Sequence, residues 1–514
     1  MAPKCHLLAA AAAGSAAALA CVSGAQAAPR VAVVVVPPFP LERHAGEGAV
    51  GLLVPGSGET VTRADALAAL ERGKVQPALL GGKPAGAPLI RPAREPGEVT
   101  VYVSLPPAGT HANSRRYPVA IVGGGYHGLL LSSSTRIEGL VSVADVAPSV
   151  LALERGETPP IGSRPDADAA ADLRRLDARL ADVRGARLPV RLAVAGVLLA
   201  ALAAGLLFRR RTAARAGLLV PPLVLGAVLA LSAFHEGRTA VAVVVVLAGG
   251  LAASLAARAG DTLLALVVAG FLAAFLGALA AWPSLNGLST LGPHPDGGGR
   301  YYGVTNEVET LLLAPALAAG AVSGPLLPLV GALALAAIGW SRAGADGGGL
   351  LVYAVAFAVL WTRLARPRTS LGRLVVAVAG AVALGFALVW LDRATGGTSH
   401  VTAAVGSGSG LVGDAVHRWH VSWAAATASW PVVIESLGGL LGLIVFGLVG
   451  RRSATVDALL VGVAVSLLVN DTPQDVLAFG ALTCGSLWVW ERLRAPERRS
   501  EPFVFRPLPR SGAR

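Results

Sequence analysis

Val190-Arg191-Leu192-Ala193-Val194-Ala195-Gly196-Val197-Leu198-Leu199-Ala200-Ala201-Leu202-Ala203-Ala204-Gly205-Leu206-Leu207-Phe208, followed at once by Arg209-Arg210-Arg211, decides the fold. An almost wholly apolar stretch of this length forms a helix of about 28 Å at 1.5 Å per residue, matching a hydrocarbon core of about 30 Å. The arginine triplet marks its end as a charged membrane boundary. The pattern recurs along the rest of the chain. Apolar segments at 190–208, 216–234, 239–257, 262–282, 306–322, 325–340, 349–364, 372–390, 430–449, 454–470 and 473–490 predict about 11 transmembrane helices. Only Ser323-Gly324 is available to turn the hairpin at 306–340.

Composition agrees. The 514 residues are 54% hydrophobic and only 14% charged, whereas soluble domains carry roughly 25% charge. The net charge of +12 does not point to nucleic acid, because the arginines stand in short loops between apolar runs. Arg209, Arg210, Arg211 and Arg215 follow the first span, and Arg363, Arg366, Arg368 and Arg373 surround the seventh and eighth. Arg451 and Arg452 follow the ninth, while Arg492, Arg494, Arg498 and Arg499 follow the last. An odd number of spans puts all of them on one side, and the positive-inside rule makes that side cytoplasmic. The expected protein is a multi-pass cell-membrane protein with an extracytoplasmic N-terminal domain and a cytoplasmic tail at 492–514.

Lys4, the apolar run 7–22 and Ala25-Gln26-Ala27 follow the plan of a secretory signal peptide over residues 1–27. Cys5 and Cys21 would leave with it, and Cys484 alone supports no disulfide framework. Residues 28–186 form the long segment without a span and are expected outside, with the membrane domain over 187–491. Residues 31–36, 99–105 and 118–122 read as strands, and Gly123-Gly124-Gly125 reads as a turn. Residues 141–154 read as a helix with Pro148 in its first turn. Strands alternating with helices predict an α/β domain, and 164–186 reads as a separate polar juxtamembrane helix.

Three polar regions fall on the external side under this topology. The first is 283–305 and the start of the fifth span, with His294, Asp296, Gly297-Gly298-Gly299, Arg300, Tyr301, Tyr302, Asn306, Glu307 and Glu309. The second, 391–429, contains Asp392, Arg393, Ser399, His400, Asp414, His417, Arg418 and His420. The third is the turn Asn470-Asp471-Thr472-Pro473-Gln474-Asp475, with Glu435 slightly deeper in the ninth span. Polar groups at an apolar boundary are expensive unless they work or pair. Glu307 and Asp471 are therefore the candidate catalytic bases, proton carriers or cation ligands. Arg300, expected to pair with Glu307 or Asp471 or to clamp a phosphate, joins Tyr301, Tyr302, Asn306, His400 and Asn470 as candidate substrate-binding residues. Plainer readings stand beside these. The tyrosines suit an aromatic belt, Glu307 and Glu309 suit a watered helix N-terminus, and Asn470-Asp471-Thr472-Pro473 suits an ordinary turn. His417 and His420 lack a metal spacing, no metal site is expected, and the sequence specifies no cofactor.

The string Gly299-Arg300-Tyr301-Tyr302-Gly303-Val304-Thr305-Asn306-Glu307 resembles the Gly-Arg-Phe/Tyr-Tyr-Gly-x-x-Asn-Glu motif of a poorly characterised family of bacterial polytopic membrane proteins. Thr398-Ser399-His400-Val401-Thr402-Ala403-Ala404-Val405 resembles a second motif of that family but lacks its usual arginine, and Asn470-Asp471-Thr472 is similar to a third. The segments 48–52, 134–137 and 139–151 resemble parts of an alkaline-phosphatase/sulfatase-like domain. The resemblance implies an early Asp and an Asp-His pair that this chain lacks, so the expected domain is degenerate and non-catalytic. Two-metal hydrolysis needs several carboxylates to hold its ions. The leading expectation is a cell-envelope protein that acts on, or helps assemble, a lipid-linked or cell-surface substrate at the external membrane face. Its expected partners are membrane lipids, a lipid-linked glycan or cell-wall component and an envelope protein, with no nucleic acid. A transporter or flippase, or a non-catalytic scaffold, is the alternative.

Overall fold

A computed structural model describes residues 29–56, 58, 60–73, 90–293, 295, 301–365, 422–424, 426–448 and 452–494, with isolated positions between 379 and 390. The chain divides into an N-terminal sheet layer and a helical bundle.

The sheet has seven strands, β1 (Val31–Val36), β2 (Gly48–Val54), β4 (Val99–Ser104), β6 (Tyr117–Val122), β7 (Gly128–Ser132), β8 (Leu140–Ser142) and β9 (Ile161–Arg164). Their order is β1-β4-β6-β2-β7-β9, with β8 also paired to β2. β1 runs parallel to β4, and β2 runs parallel to β7 and β8, while β6 is antiparallel to both β4 and β2. A small separate ribbon pairs β3 (Thr60–Thr62) with β5 (Thr110–Ala112). The predicted strands at 31–36, 99–105 and 118–122 are all present. Gly123, Gly124 and Gly125 have φ of 89°, 61° and 81°, a left-handed turn that favours glycine. One expectation changes: Leu140–Ser142 is a strand, followed by a 3₁₀ turn at Val143–Asp145, so helix α3 begins only at Val146. Pairing with β2 holds Val141 in the sheet.

Period-two alternation explains why β2 is buried throughout. Ala49 and Leu53 enter the core shared with α2 (Arg63–Arg72) and α3 (Val146–Glu154). Val50, Leu52 and Val54 face the opposite core, which contains Leu173 and Leu180 of helix α4 (Ala169–Leu207) and Leu288, Tyr301 and Tyr302 of the bundle. The sheet is thereby seated on the bundle. A short helix, α1 (Glu42–Ala45), precedes β2.

Helix α4 joins the two parts. Its 39 residues reach about 58 Å. The polar helix expected at 164–186 and the first span are one element, continuous through Pro189. Its buried stripe runs Leu173, Leu180, Val183, Arg187, Val190, Val194, Leu198 and Leu202, steps of three, four or seven residues that keep one helical face inward. Its outward face carries Arg174, Arg175 and Arg184 near the sheet, then Leu188, Leu192, Leu199 and Leu206, all exposed. The exposed face changes from polar to apolar near Leu188. Similar exposed stripes follow on α6 (Thr239–Ala256; Val244, Leu247, Leu251, Leu255) and α12 (Trp430–Leu448; Ile434, Leu437, Leu441, Leu448). Continuous apolar surface on this scale is consistent with a membrane-embedded bundle.

Among the described residues, seven helical stretches are long and apolar enough to cross a membrane. They lie in α4, α5 (Arg211–Ala233), α6 with its short 3₁₀ extension, α7 (Asp261–Ala281), Asn306–Gly339, α11 (Gly347–Ala365) and α12. The stretch Asn306–Gly339 is folded into α9 (Asn306–Ser323) and α10 (Leu327–Gly339), broken at Gly324 with φ 58°. The two legs are antiparallel, since the Val304 amide at the head of α9 donates to Gly344 O beyond α10 at 2.7 Å. A short helix, α8 (Ser284–Gly287), precedes this hairpin, and α13 (Ala454–Val469) and α14 (Pro473–Arg494) close the bundle. α9 lies at its centre, buried without interruption from Glu307 to Gly320, and from Leu311 onward it is apolar on every face, as a buried helix is.

Candidate functional site

The site forms where α4, α9, α12, α13 and α14 meet beneath the sheet. Local chemistry starts α9. The Thr305 hydroxyl accepts the Val308 amide at 3.2 Å, a helix N-cap that places Asn306, Glu307 and Glu309 in the first turn. Gly303 has φ 88°, and a Cβ there would lie 2.2 Å from Gly344 O. The glycine of the Tyr-Tyr-Gly string is thus fixed by backbone approach. Pro473 starts α14 at a position where a missing N–H costs nothing.

Asn306 donates through Nδ2 to Asp471 Oδ1 at 2.8 Å and to Thr472 Oγ1 at 3.0 Å. Two of the sequence-marked regions, 165 residues apart, are therefore in direct contact. One step inward, Asn470 donates through Nδ2 to Glu309 Oε2 at 2.9 Å and to Ser466 Oγ at 2.7 Å. The Tyr353 hydroxyl donates to Glu309 O at 2.9 Å. Glu309 is fully buried, not the watered first-turn acid that the sequence also allowed, because α13 closes over that face of α9.

Beside these pairs lies a group that the sequence reading did not centre on. Arg191 of α4 meets Glu307 Oε2 through Nε at 3.4 Å and Glu435 Oε1 through Nη2 at 3.5 Å, and it donates through Nη2 to Asp475 Oδ1. The Phe479 ring lies 5.8 Å from its guanidinium carbon. The Glu307 side chain is 10% exposed, and its Oε1 has no hydrogen-bond partner. Arg187, one turn nearer the sheet, donates to Pro293 O at 3.0 Å and belongs to the electrostatic surroundings of Glu307. A signal for Arg191 was present in the sequence, since an arginine inside the first turn of an apolar span needs an anionic or hydrated partner.

Tyr301 and Tyr302 are placed differently from the other candidates. Both are buried in the core between sheet and bundle. Burial pushes the Tyr301 phenol above its ordinary value. The Arg136 guanidinium stacks 3.7 Å from the Tyr302 ring centre and donates to Ser341 O at 2.8 Å. Nearby, Asp145 accepts from Ser132 Oγ and, at 2.5 Å, from Ser134 Oγ. Burial raises the Asp145 carboxyl above its ordinary value, against the two hydroxyl donors. Arg300, His294, Asp296, Asp392, Arg393, His400, Asp414, His417, Arg418 and His420 lie outside the described residues.

The opposite end of the bundle carries a second charge cluster. Asp261 receives Arg211 at 2.5 Å, Arg215 at 2.8 Å and Arg494 at 3.3 Å, with Trp490 Nε1 donating at 3.1 Å. Arg363 and Arg452 meet Asp457 at this same end, and Thr455 donates to Glu491. A cleft of about 250 Å³ lies there, lined by Ser453, Thr455, Glu491 and Arg494. Being remote from Glu307, it is not a cavity of the first site.

No family model matches the chain, and neither a curated protein nor a solved structure matches it. The chemistry of the site therefore rests on its own geometry. Three carboxyl groups around one guanidinium, with amides ordering two further acids, make an assembly suited to proton transfer and to holding a polar substrate at the edge of an apolar layer.

Proposed function

We propose that this chain is a cell-envelope membrane protein that acts on, or helps assemble, a lipid-linked or cell-surface substrate at the external membrane face. The convergence of Asn306, Glu307, Glu435, Asn470, Asp471 and Asp475 on one end of the bundle, around Arg191 and below the sheet, carries this reading. Glu307 is the acid–base group. Asp471 is held by Asn306 as a second acid, and Asn470 orders the layer beneath. Arg300, His400 and the exposed rim contribute substrate contacts, with Arg300 as the phosphate clamp. Tyr301 and Tyr302 fix the sheet above the site.

Eleven spans, with the sheet outside and the C-terminus in the cytoplasm, complete the proposal. Two contacts support the odd count. Arg363 at the end of α11 meets Asp457 at the arginine-rich end, whereas Ser422 donates to Asn470 O at the opposite end. The two contacts lie at opposite ends of the bundle, which supports the proposed eighth span at 372–390. Membrane lipids, a lipid-linked glycan or cell-wall component, and an envelope protein docking on the sheet are the proposed partners.

Depletion of the protein followed by lipid and cell-wall analysis tests the function. Accumulation of a lipid-linked intermediate on the cytoplasm-distal leaflet is the expected result. Accumulation confined to the cytoplasmic leaflet would instead identify a flippase, and an unchanged envelope would remove both readings.

A further inference from the structure

Among the described residues, the charges around Arg191 do not balance. One guanidinium faces Glu307, Glu435 and Asp475, a surplus of two negative charges in a largely buried cluster. The groups facing Glu307 from each packed element are Arg187 and Arg191 on α4, Glu435 on α12 and Asp475 on α14. Asp471 stands one hydrogen bond further off, through Asn306. Counting Arg187 as well still leaves one uncompensated negative charge. An unbalanced charge is expensive to bury, so a cation taken up here would be stabilised. A metal ion suits the space poorly, because the guanidinium already occupies the point on which the carboxylates converge.

Position selects the carboxyl that holds the cation. Asp475 receives the shortest contact from Arg191, and the Glu435 side chain is 35% exposed and open to hydration. Glu307 is as enclosed as Asp475, but its nearest cation contact is at 3.4 Å and its Oε1 is buried without a partner. Glu307 and Asp475 both lie in first turns, so the helix dipole does not separate them.

We infer that Glu307 holds an exchangeable proton on Oε1 and is the proton donor and acceptor of this site, an inference that rests on the proposed acid–base role. In the donating step the Oε1–H bond breaks, its electron pair stays on the carboxylate, and the proton passes to a substrate oxygen or to water. Arg191 then takes up the new charge through the contact it already makes with Oε2. The return step is the reverse.

Infrared spectra of the full-length protein in lipid nanodiscs test this directly. The wild type at neutral pH is expected to show a protonated-carboxyl band that is absent from Glu307→Gln. The band is expected to persist in Glu435→Gln but to be lost there at a lower pH, since a neighbouring negative charge has gone. A wild-type band unchanged in Glu307→Gln would overturn the inference, as would a band displaced by sodium at fixed pH. Should Glu307→Gln fail to accumulate, titration of the wild type against Glu435→Gln decides, and identical titrations would overturn it. A band lost in Glu307→Gln together with a normal envelope in cells carrying that variant would leave the proton site standing and remove the proposed function.

Discussion

Arg191 sits just inside the level at which the outer face of α4 turns apolar, and three acids from three other helices reach it. Exposed ion pairs contribute about 0–1 kcal/mol, but removing one partner of a buried cluster costs about 3–5 kcal/mol. Arg191→Met is therefore expected to lower the thermal unfolding midpoint of the purified protein sharply, and Arg191→Lys to restore part of the loss. An unshifted midpoint in Arg191→Met would mean that the cluster is solvated. Asn470→Ala removes the amide that serves Glu309 and should cost about 1–3 kcal/mol, read by the same melt. Asn306, Glu307, Asn470 and Asp471 were legible in the sequence because polar residues at span ends stand out against Ala, Leu and Val. Arg191 carried a weaker signal: an arginine near a span end needs a partner, but its long side chain can also find that partner in water. Glu309 was misleading for a different reason: first-turn acids are stabilised by the helix dipole even in water, and only tertiary packing shows which of them is enclosed.

At the scale of elements, close helix packing rests on small residues. A Cβ on Gly439 of α12 would lie 2.4 Å from the Leu477 carbonyl carbon of α14. These helices carry Glu435 and Asp475, so their spacing sets the site. Gly439→Ala is expected to cost about 1–3 kcal/mol and to weaken function by parting these two acids. A variant with wild-type stability and function would show that the helices do not need this approach. In the sheet, Asp145 gives a pH signature. Its folded carboxyl is held above the ordinary value by burial, so the folded chain binds that proton more tightly than the unfolded one. Stability at the β8–α3 junction should fall as pH rises from the ordinary carboxylate range through the raised value. Hydrogen exchange of the β7–α3 amides, corrected for intrinsic rates, should show this slope in wild type and a flatter one in Asp145→Asn. The strands were readable because β-branched runs end at Gly and Pro. The unity of α4 was not, since Pro189 and the polar-to-apolar switch both imitate a boundary, while the face that stays buried through them shows only in three dimensions.

Across the whole molecule, the two ends of the bundle mirror each other in charge. Three carboxyl groups surround Arg191 at the sheet end, and three arginines surround Asp261 at the other. The second arrangement gathers the arginines on which the proposed cytoplasmic side rests. Orientation can be measured by labelling single cysteines, introduced with Cys5 and Cys21 replaced by serine, in intact cells with a membrane-impermeant maleimide, since Cys484 is fully buried. Ala108→Cys, on an exposed loop of the sheet, is expected to label directly. Arg210→Cys, between α4 and α5, is expected to label only after permeabilisation, and the reverse pattern would invert the topology. The central claim is that the external cluster works through Glu307. General acid–base groups contribute about 10²–10⁴-fold in rate, so the loss should be visible in living cells. The direct measurement is the lipid and cell-wall profile of cells in which Glu307→Gln replaces the wild-type chain at equal membrane level. The account predicts the profile of depleted cells, and a wild-type profile would contradict it.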